Sequence, residues 1–493
     1  MIEKPSHRVD RSVFAWLMLG EAGVVIMVLA LYRAATKPDV MTFLTSVTGI
    51  AGLAGIGLFI VAGVLFIRRY CVAQGVAQKA IMLTAVMNFI TVGLLFIVSE
   101  GTIRLFAVQS STGQYSFAGT TLYPRDWGEL AARYRRILDQ VDQQGGYYVY
   151  DSVLGWTVGS NRRSANGMYL SSREGLRSAQ QDIVLAEKRP RHRIALMGNS
   201  FTFGHEVRYE DTWGAMLEQQ LGLDTQVLNF GVTGYGLDQM YLSYDQKVRG
   251  WKPDLIILGL ISHDLLRSQM VYNLLLAPDA FYLPFARPRL ELLNGQLVHR
   301  QDPVLSSREI FSQPSIRSLP LLDEDRNYHW VEWDRPAWRF FQKSFLFRYI
   351  TSLVPIWDSY RAAVSDPALH ELSRELLRRL RARTEADGVP MIVLYFPERL
   401  ELKLIDTGKH SELAAEVFHE TGIDFVDTTP CVRKVPRDAL FGPDKEHYSP
   451  EGNKAVLSCL QGAVRAKLMS GSLGKGIQTQ VVPASMATAQ EKP

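Results

Sequence analysis

Apolar positions are distributed along this chain in two ways. Residues 13–32, 41–67 and 80–98 are long, almost wholly apolar runs, each about the length needed to cross a ~30 Å hydrocarbon core as a helix. Beyond residue 100 the runs are short. Residues 194–197, 227–229, 255–260, 391–395 and 424–426 each read as a strand, because a brief apolar run bounded by small or polar residues suits a strand covered on both faces. Helical patterns lie between and after them. This alternation predicts a parallel sheet with helices on both sides, a three-layer α/β arrangement.

Other stretches set the boundaries. Residues 100–190 begin with a polar segment rich in Ser, Thr and Gly. An amphipathic helix follows over about 127–141, with Leu130, Tyr134, Ile137 and Leu138 at helical spacing; together they read as a stem and lead-in. The alternation fails over 268–352, where aromatic residues and prolines crowd together and 289–298 predicts a β-hairpin turning at Asn294-Gly295. This is an insertion, and its Tyr282, Phe285, Trp330, Trp333 and Trp338 either stack against sugar rings or pack the insertion's own core. The expected organisation is a three-span region over 1–99, the stem and lead-in over 100–190, a catalytic domain over 191–468 and a disordered tail over 469–493.

Charge orients this scheme. Basic residues are heavier before the first span (Lys4, Arg8, Arg11) and between the second and third (Arg68, Arg69, Lys79) than in the first connecting loop (Arg33, Lys37). That bias puts the amino terminus in the cytoplasm and everything after residue 99 outside, in a multi-pass protein of the cytoplasmic membrane. The first run lacks a small-residue cleavage site leading into a polar mature domain, which argues against a removed signal peptide. Glu21 lies mid-span, so it either contacts a partner membrane protein or lipid-linked substrate, or sits as a neutral acid inside the bundle. A net charge of +4 with both signs interspersed gives no nucleic-acid footprint; the basic knot over 188–193 is a solvated loop. The three cysteines have no metal-ligand spacing, so neither metal catalysis nor a cofactor is expected. Cys431 and Cys459 form a disulfide if this part lies outside the cytosol, or stay unpaired as small apolar residues.

The candidate chemistry is divided between two distant stretches. RIALMGNSFTFG reads as strand, tight turn and helix, which places Ser200 at the carboxyl edge of the sheet, where open α/β folds bind their ligands. By itself a serine there is an ordinary turn residue. Near the other end, PDKEHYSPEGN supplies Asp444 and His447 three apart on one loop. A serine hydroxyl needs an imidazole to take its proton, and the imidazole needs a carboxylate to fix its tautomer.

With Asp444 and His447 in view, the chain resembles the SGNH/GDSL hydrolase family, which carries a GDS-type block, a glycine block, an asparagine block and a DxxH block in that order. Here the first is Gly198-Asn199-Ser200, with asparagine for aspartate, inside a GNSFTFG stretch close to the GDSFTFG of bacterial members. The second is NFGVTGYG, in which Gly234 matches the glycine whose backbone N–H helps to hold the oxyanion. The third ends in His263-Asp264, histidine standing where an asparagine donor is expected. The fourth, Asp444 to His447, is intact. YDSVLGW and GLRS resemble the D-x-x-LGW and GLR lead-in elements of membrane-associated members, so the likeness covers roughly 145–468.

The resemblance implies a doubly wound, flavodoxin-like parallel sheet behind the membrane region. It implies a membrane-anchored, extracytoplasmic serine esterase acting on carboxylic esters, such as O-acyl groups of envelope polysaccharides or lipid-linked substrates. Ser200 would be the nucleophile, His447 the base and Asp444 its orienter, with the N–H groups of Ser200 and Gly234 and the ring of His263 around the oxyanion. Two alternatives stay open: an O-acyltransferase using the same triad, and a non-catalytic glycan-binding or assembly protein on this fold.

Overall fold

The computed structural model describes residues 78–472, apart from 111–112, 188–189, 279, 281, 330–331, 335–337, 354–365 and 403–408, together with two isolated earlier positions. The apolar runs at 13–32 and 41–67, Glu21, Trp330 and the tail beyond 472 lie outside the described residues. The chain divides into two compact units, one of Met1–Arg133, Pro314–Ser318 and Tyr328–Asp358, the other of Tyr134–Gln313, Leu319–Asn327 and Ser359–Pro493.

The second unit is built on a seven-stranded sheet. Its strands are β1 (Leu170–Ser171), β2 (Arg177–Ser178), β3 (His192–Gly198), β4 (Thr225–Asn229), β5 (Leu255–Leu260), β6 (Met391–Tyr395) and β7 (Phe425–Asp427). They lie in the order β7-β6-β5-β3-β4-β2-β1. The five from β3 to β7 pair in parallel, while β1 and β2 run antiparallel at one edge. The parallel part is thus doubly wound in the flavodoxin-like order, with its switch point between β3 and β5, where crossovers leave in opposite directions and open a crevice.

Alternation along the strands makes the layers, since successive side chains point to opposite faces. Ala195 and Met197 of β3 pack with Ile256, Leu258 and Val393 on one face. That face is covered by α3 (Leu237–Ser243), α5 (Pro367–Ala386) and α6 (Lys409–Thr421). Ile194 and Leu196 pack with Ile257, Ile392 and Leu394 on the other, under α2 (Trp213–Leu221) and α7 (Pro450–Ser472). All five expected strands are present, displaced by at most two residues.

Two boundaries fall differently from the sequence reading. Residues 134–190 belong to the unit that carries the sheet, because Leu170–Ser178 supplies its antiparallel edge and the hairpin Tyr148–Asp151/Gly155–Val158 packs into its core. The 268–352 stretch is shared between the units. Its hairpin, Leu290–Leu293 with Gln296–His299, turns at Asn294 (φ 52°) and Gly295 (φ 75°), the left-handed pair of a tight hairpin turn. Of its aromatics, Phe285, Trp333 and Trp338 are buried and Tyr282 is exposed. The paired cysteines are also settled, as Cys431 and Cys459 form a disulfide with a Cα–Cα separation of 6.0 Å.

In the first unit the 80–98 run lies inside the 29-residue helix Gln78–Phe106. Among the described residues no helix is long and apolar enough to cross a membrane; most side chains from 80 to 92 lie outside that set. The helix carboxyl end is anchored by Glu100, whose carboxylate accepts from Ser344 Oγ and from the N–H groups of Phe345 and Leu346, at the start of Phe345–Ser352.

The sheet has no spare volume beside the turn that follows β3. A Cβ added at Gly259 of β5 would stand 2.2 Å from Thr202 Oγ1 and 2.7 Å from Phe396 Cε2. Gly259→Ala is therefore expected to cost about 1–3 kcal/mol by overpacking, read as a lowered urea midpoint at unchanged slope.

Candidate active site

Backbone geometry sets Ser200 at the carboxyl tip of β3. Gly198 has φ 155°, and a Cβ there would strike Thr202 Oγ1 and Gly259 O, so only glycine lets the chain leave the strand at this angle. Asn199 then caps the short helix α1 (Ser200–Phe203), its Oδ1 accepting from Phe201 N at 2.8 Å. Its Nδ2 donates to Asp264 Oδ2 at 2.5 Å. Asp264 is fully buried, and burial pushes its carboxyl up to about 6 against the opposing pull of Arg267 and of its hydrogen bonds. Asparagine at 199 thus meets a buried carboxylate with a donor; an aspartate would meet it with a second acceptor and like charge.

The loop between α7 and the preceding helix brings in the other two groups. Asp444 Oδ1 accepts from the N–H groups of Glu446 (2.8 Å) and His447 (3.0 Å), while Gly442 N donates to His447 O at 2.7 Å. The loop is closed further by Tyr448, whose hydroxyl donates to Pro397 O. The ring of His447 then spans the gap, with Nδ1 2.5 Å from Asp444 Oδ2 and Nε2 2.8 Å from Ser200 Oγ. Burial raises the Asp444 carboxyl, but the hydrogen bonds from the His447 ring and from the two backbone N–H groups outweigh it and hold the group well below the usual carboxylate range. Ser200, His447 and Asp444 therefore stand in one chain of hydrogen bonds.

The glycine block runs alongside. Phe230 N donates to Leu196 O and Val232 N to Gly198 O, and Asn229 Nδ2 reaches Thr202 O at 2.8 Å. Gly234 follows with φ 83°. Among the described residues neither Ser200 N nor Gly234 N donates to a protein acceptor. His263 lies on α4 (Ser262–Arg267), half-buried, next to the Asp264 that holds Asn199; its backbone N–H donates to Glu398 Oε2 at 3.3 Å.

Three further residues were given no role from the sequence. His205, directly after the GNSFTFG block, stacks obliquely on His447 with ring centroids 4.6 Å apart. Burial, then the neighbouring His447, pushes it down to about 3, so it is neutral at ordinary pH. The arginine of the GLR element, Arg177, is buried with its guanidinium over Tyr169 and Phe203 and donates to Val207 O at 3.2 Å. It ties the sheet edge to the segment that follows the serine turn. Trp156, of the LGW element, reaches the glycine block. The sequence signal was adjacency to the serine block for His205 and membership of the GLR and LGW elements for Arg177 and Trp156.

Among the described residues, His205, Asp444 and His447 are the one group whose ligand atoms, all within 4.8 Å of one another, could hold a metal ion. Both ring nitrogens of His447 are already engaged, by Asp444 and Ser200.

No protein-family model matches the sequence, and no curated protein matches it either. Solved structures similar to it include a G-D-S-L family protein from Desulfitobacterium hafniense (14% identity, 55% of this chain and 98% of that one, TM-score 0.28). An acetyl xylan esterase from Geobacillus stearothermophilus is another (14%, 56% and 95%, TM-score 0.31). A third is a lipase/acylhydrolase from Enterococcus faecalis (11%, 56% and 96%, TM-score 0.30). The chemistry open to the site is decided by this chain's own residues.

Asn199→Asp tests the electrostatics of the turn. At pH 7 a second buried carboxylate beside Asp264 is expected to cost about 3 kcal/mol. A carboxyl whose folded pKa is raised regains stability as pH falls through that pKa, so the deficit should shrink between pH 7 and pH 5, as one group takes up the proton that bridges the pair. Urea unfolding at the two pH values measures it.

Proposed function

We propose that this chain is a serine hydrolase of carboxylic esters. The observation that carries the reading is the continuous Ser200–His447–Asp444 contact, at 2.8 and 2.5 Å. Asp444, ionised across the physiological range, keeps a proton on His447 Nδ1 and leaves Nε2 to take the proton of Ser200 Oγ. The serine oxygen attacks the ester carbonyl, and the oxygen of the tetrahedral intermediate lies against the N–H groups of Ser200 and Gly234, with His263 as a third donor. His447 then returns its proton to the leaving alcohol. Water, activated by the same imidazole, releases the acid from the acyl-serine.

The chain acts at the outer face of a membrane. Leu94, Leu95, Phe96, Ile97 and Val98 are each 50–65% exposed on Gln78–Phe106, and five consecutive exposed apolar residues cover every side of a helix, which suits lipid better than water. The Cys431–Cys459 disulfide supports an oxidising compartment for the sheet-bearing unit, in agreement with the charge bias that places it outside. Acyl esters of envelope glycans or lipids are the substrates within reach of such an anchor, and an alcohol in place of water would make the same site a transferase.

Hydrolysis of p-nitrophenyl acetate and longer esters by the full chain in detergent, with Ser200→Ala beside it, is the test. A loss of at least about a thousandfold in Ser200→Ala, with wild type labelled at Ser200 by a fluorophosphonate, is expected. Equal inactivity of two folded proteins, on these esters and on acetylated glycans, would return the site to a binding or assembly role.

A further inference from the structure

Gly234, assigned to the oxyanion under the proposed function, holds the direction of its N–H poorly by itself. Gly234 sits at φ 83°, where glycine alone rests without strain, but a glycine crosses readily to other conformations. Its two flanking peptide planes are pinned from outside the sheet. The Thr233 carbonyl accepts from Trp156 Nε1 at 3.1 Å, and the Gly234 carbonyl accepts from Arg287 Nη2 at 2.5 Å. A trans peptide directs its C=O and N–H oppositely, so the bond that holds the Thr233 carbonyl also fixes the direction of the Gly234 N–H.

The pins are themselves held. Trp156 is fully buried, stacked on Phe285 with centroids 5.8 Å apart and 14° between planes, under the Arg287 guanidinium at 5.0 Å. The Trp156 carbonyl accepts from Tyr235 Oη at 2.6 Å, and Gln239 Oε1 accepts from Arg287 Nη1 at 2.7 Å. Gln239 also donates to Leu154 O at 2.7 Å. Leu154-Gly155-Trp156, distant from the serine in sequence, is thus laced onto the Thr233–Gln239 segment by three direct hydrogen bonds.

We propose that Trp156, with Arg287, is a positioning residue for the oxyanion donor: the indole N–H aims the Gly234 N–H at the developing negative charge. The proposal rests on the reading of Ser200 as an acylated nucleophile. A donor that is aimed wrongly binds the planar ester almost as before and fails only when the oxyanion forms.

Trp156→Phe in the full chain removes the N–H and keeps an aromatic ring. Incorporation of 3-benzothienylalanine at 156 exchanges only the N–H for sulfur and covers the case in which the phenyl variant does not fold. Either is expected to lower kcat about 10- to 100-fold with KM changed less than about threefold, counted per active site by fluorophosphonate titration. Affinity for a trifluoromethyl ketone, which forms a tetrahedral adduct on the serine, should weaken by a similar factor. Phe285→Leu loosens the same packing and leaves the indole bond in place, so it should lower thermal stability and change kcat less than about threefold. The proposal is overturned if the benzothienyl protein keeps wild-type kcat and ketone affinity, or if Phe285→Leu loses as much kcat as the donor-deleted protein. An inert wild type, unlabelled by fluorophosphonate, would instead remove the esterase reading and this inference with it.

Discussion

The 2.8 Å contact between Ser200 Oγ and His447 Nε2 joins parts of the chain 247 residues apart, and much of the fold is arranged to make it possible. Neither group can be reactive alone, since the hydroxyl holds its proton and the imidazole needs an orienting partner. Meeting them requires that β3 end at its glycine, that the turn after it be capped, and that the last helix start where the Asp444 loop can reach back. The sheet supplies a stiff edge for the first and second of these. Packing of α7 against α2, through Val456, Leu460 and Leu217 among others, supplies the third.

Polar groups around the serine turn are matched rather than merely buried. Asp264 is held by Arg267, Asn199 and the N–H of Ile261, so its three partners answer the cost of taking a carboxylate out of water. Arg267 also donates to the Tyr235 carbonyl at 3.2 Å, so the serine turn, the helix carrying His263 and the glycine block share one hydrogen-bonded frame. Asn199 belongs to this frame: its amide is the complement of the carboxylate it faces.

The sequence shows the parallel strands clearly because each is buried on both faces and so appears as an unbroken apolar run. It shows Ser200, Asp444 and His447 because their order and spacing match a known pattern, although only the structure brings the serine to the other two. The antiparallel edge was hidden: Leu170–Ser171 and Arg177–Ser178 are two residues each, too short for any period. Trp156 and Arg287 were hidden for another reason. Their role depends on which carbonyls they meet, and the Thr233 and Gly234 carbonyls belong to segments remote from both. His205 was within reach of sequence reasoning, since a residue immediately beyond the serine turn must face the base. The disulfide could not be decided from two cysteines in a single chain, because spacing alone does not reveal Cα separation.

That disulfide encloses more than it joins. Asp444 and His447 both lie between Cys431 and Cys459, so this carboxylate and imidazole sit within a covalently closed loop of sequence separation 28. In the loop-entropy picture, closing a loop of that size removes roughly 3–4 kcal/mol of freedom from the unfolded chain. Ser200 lies outside the ring. The serine is therefore placed by the sheet alone, whereas the carboxylate and the imidazole that reach it are tethered covalently as well, so that cutting the disulfide would loosen two members of the hydrogen-bonded chain and leave the strand that carries the third intact.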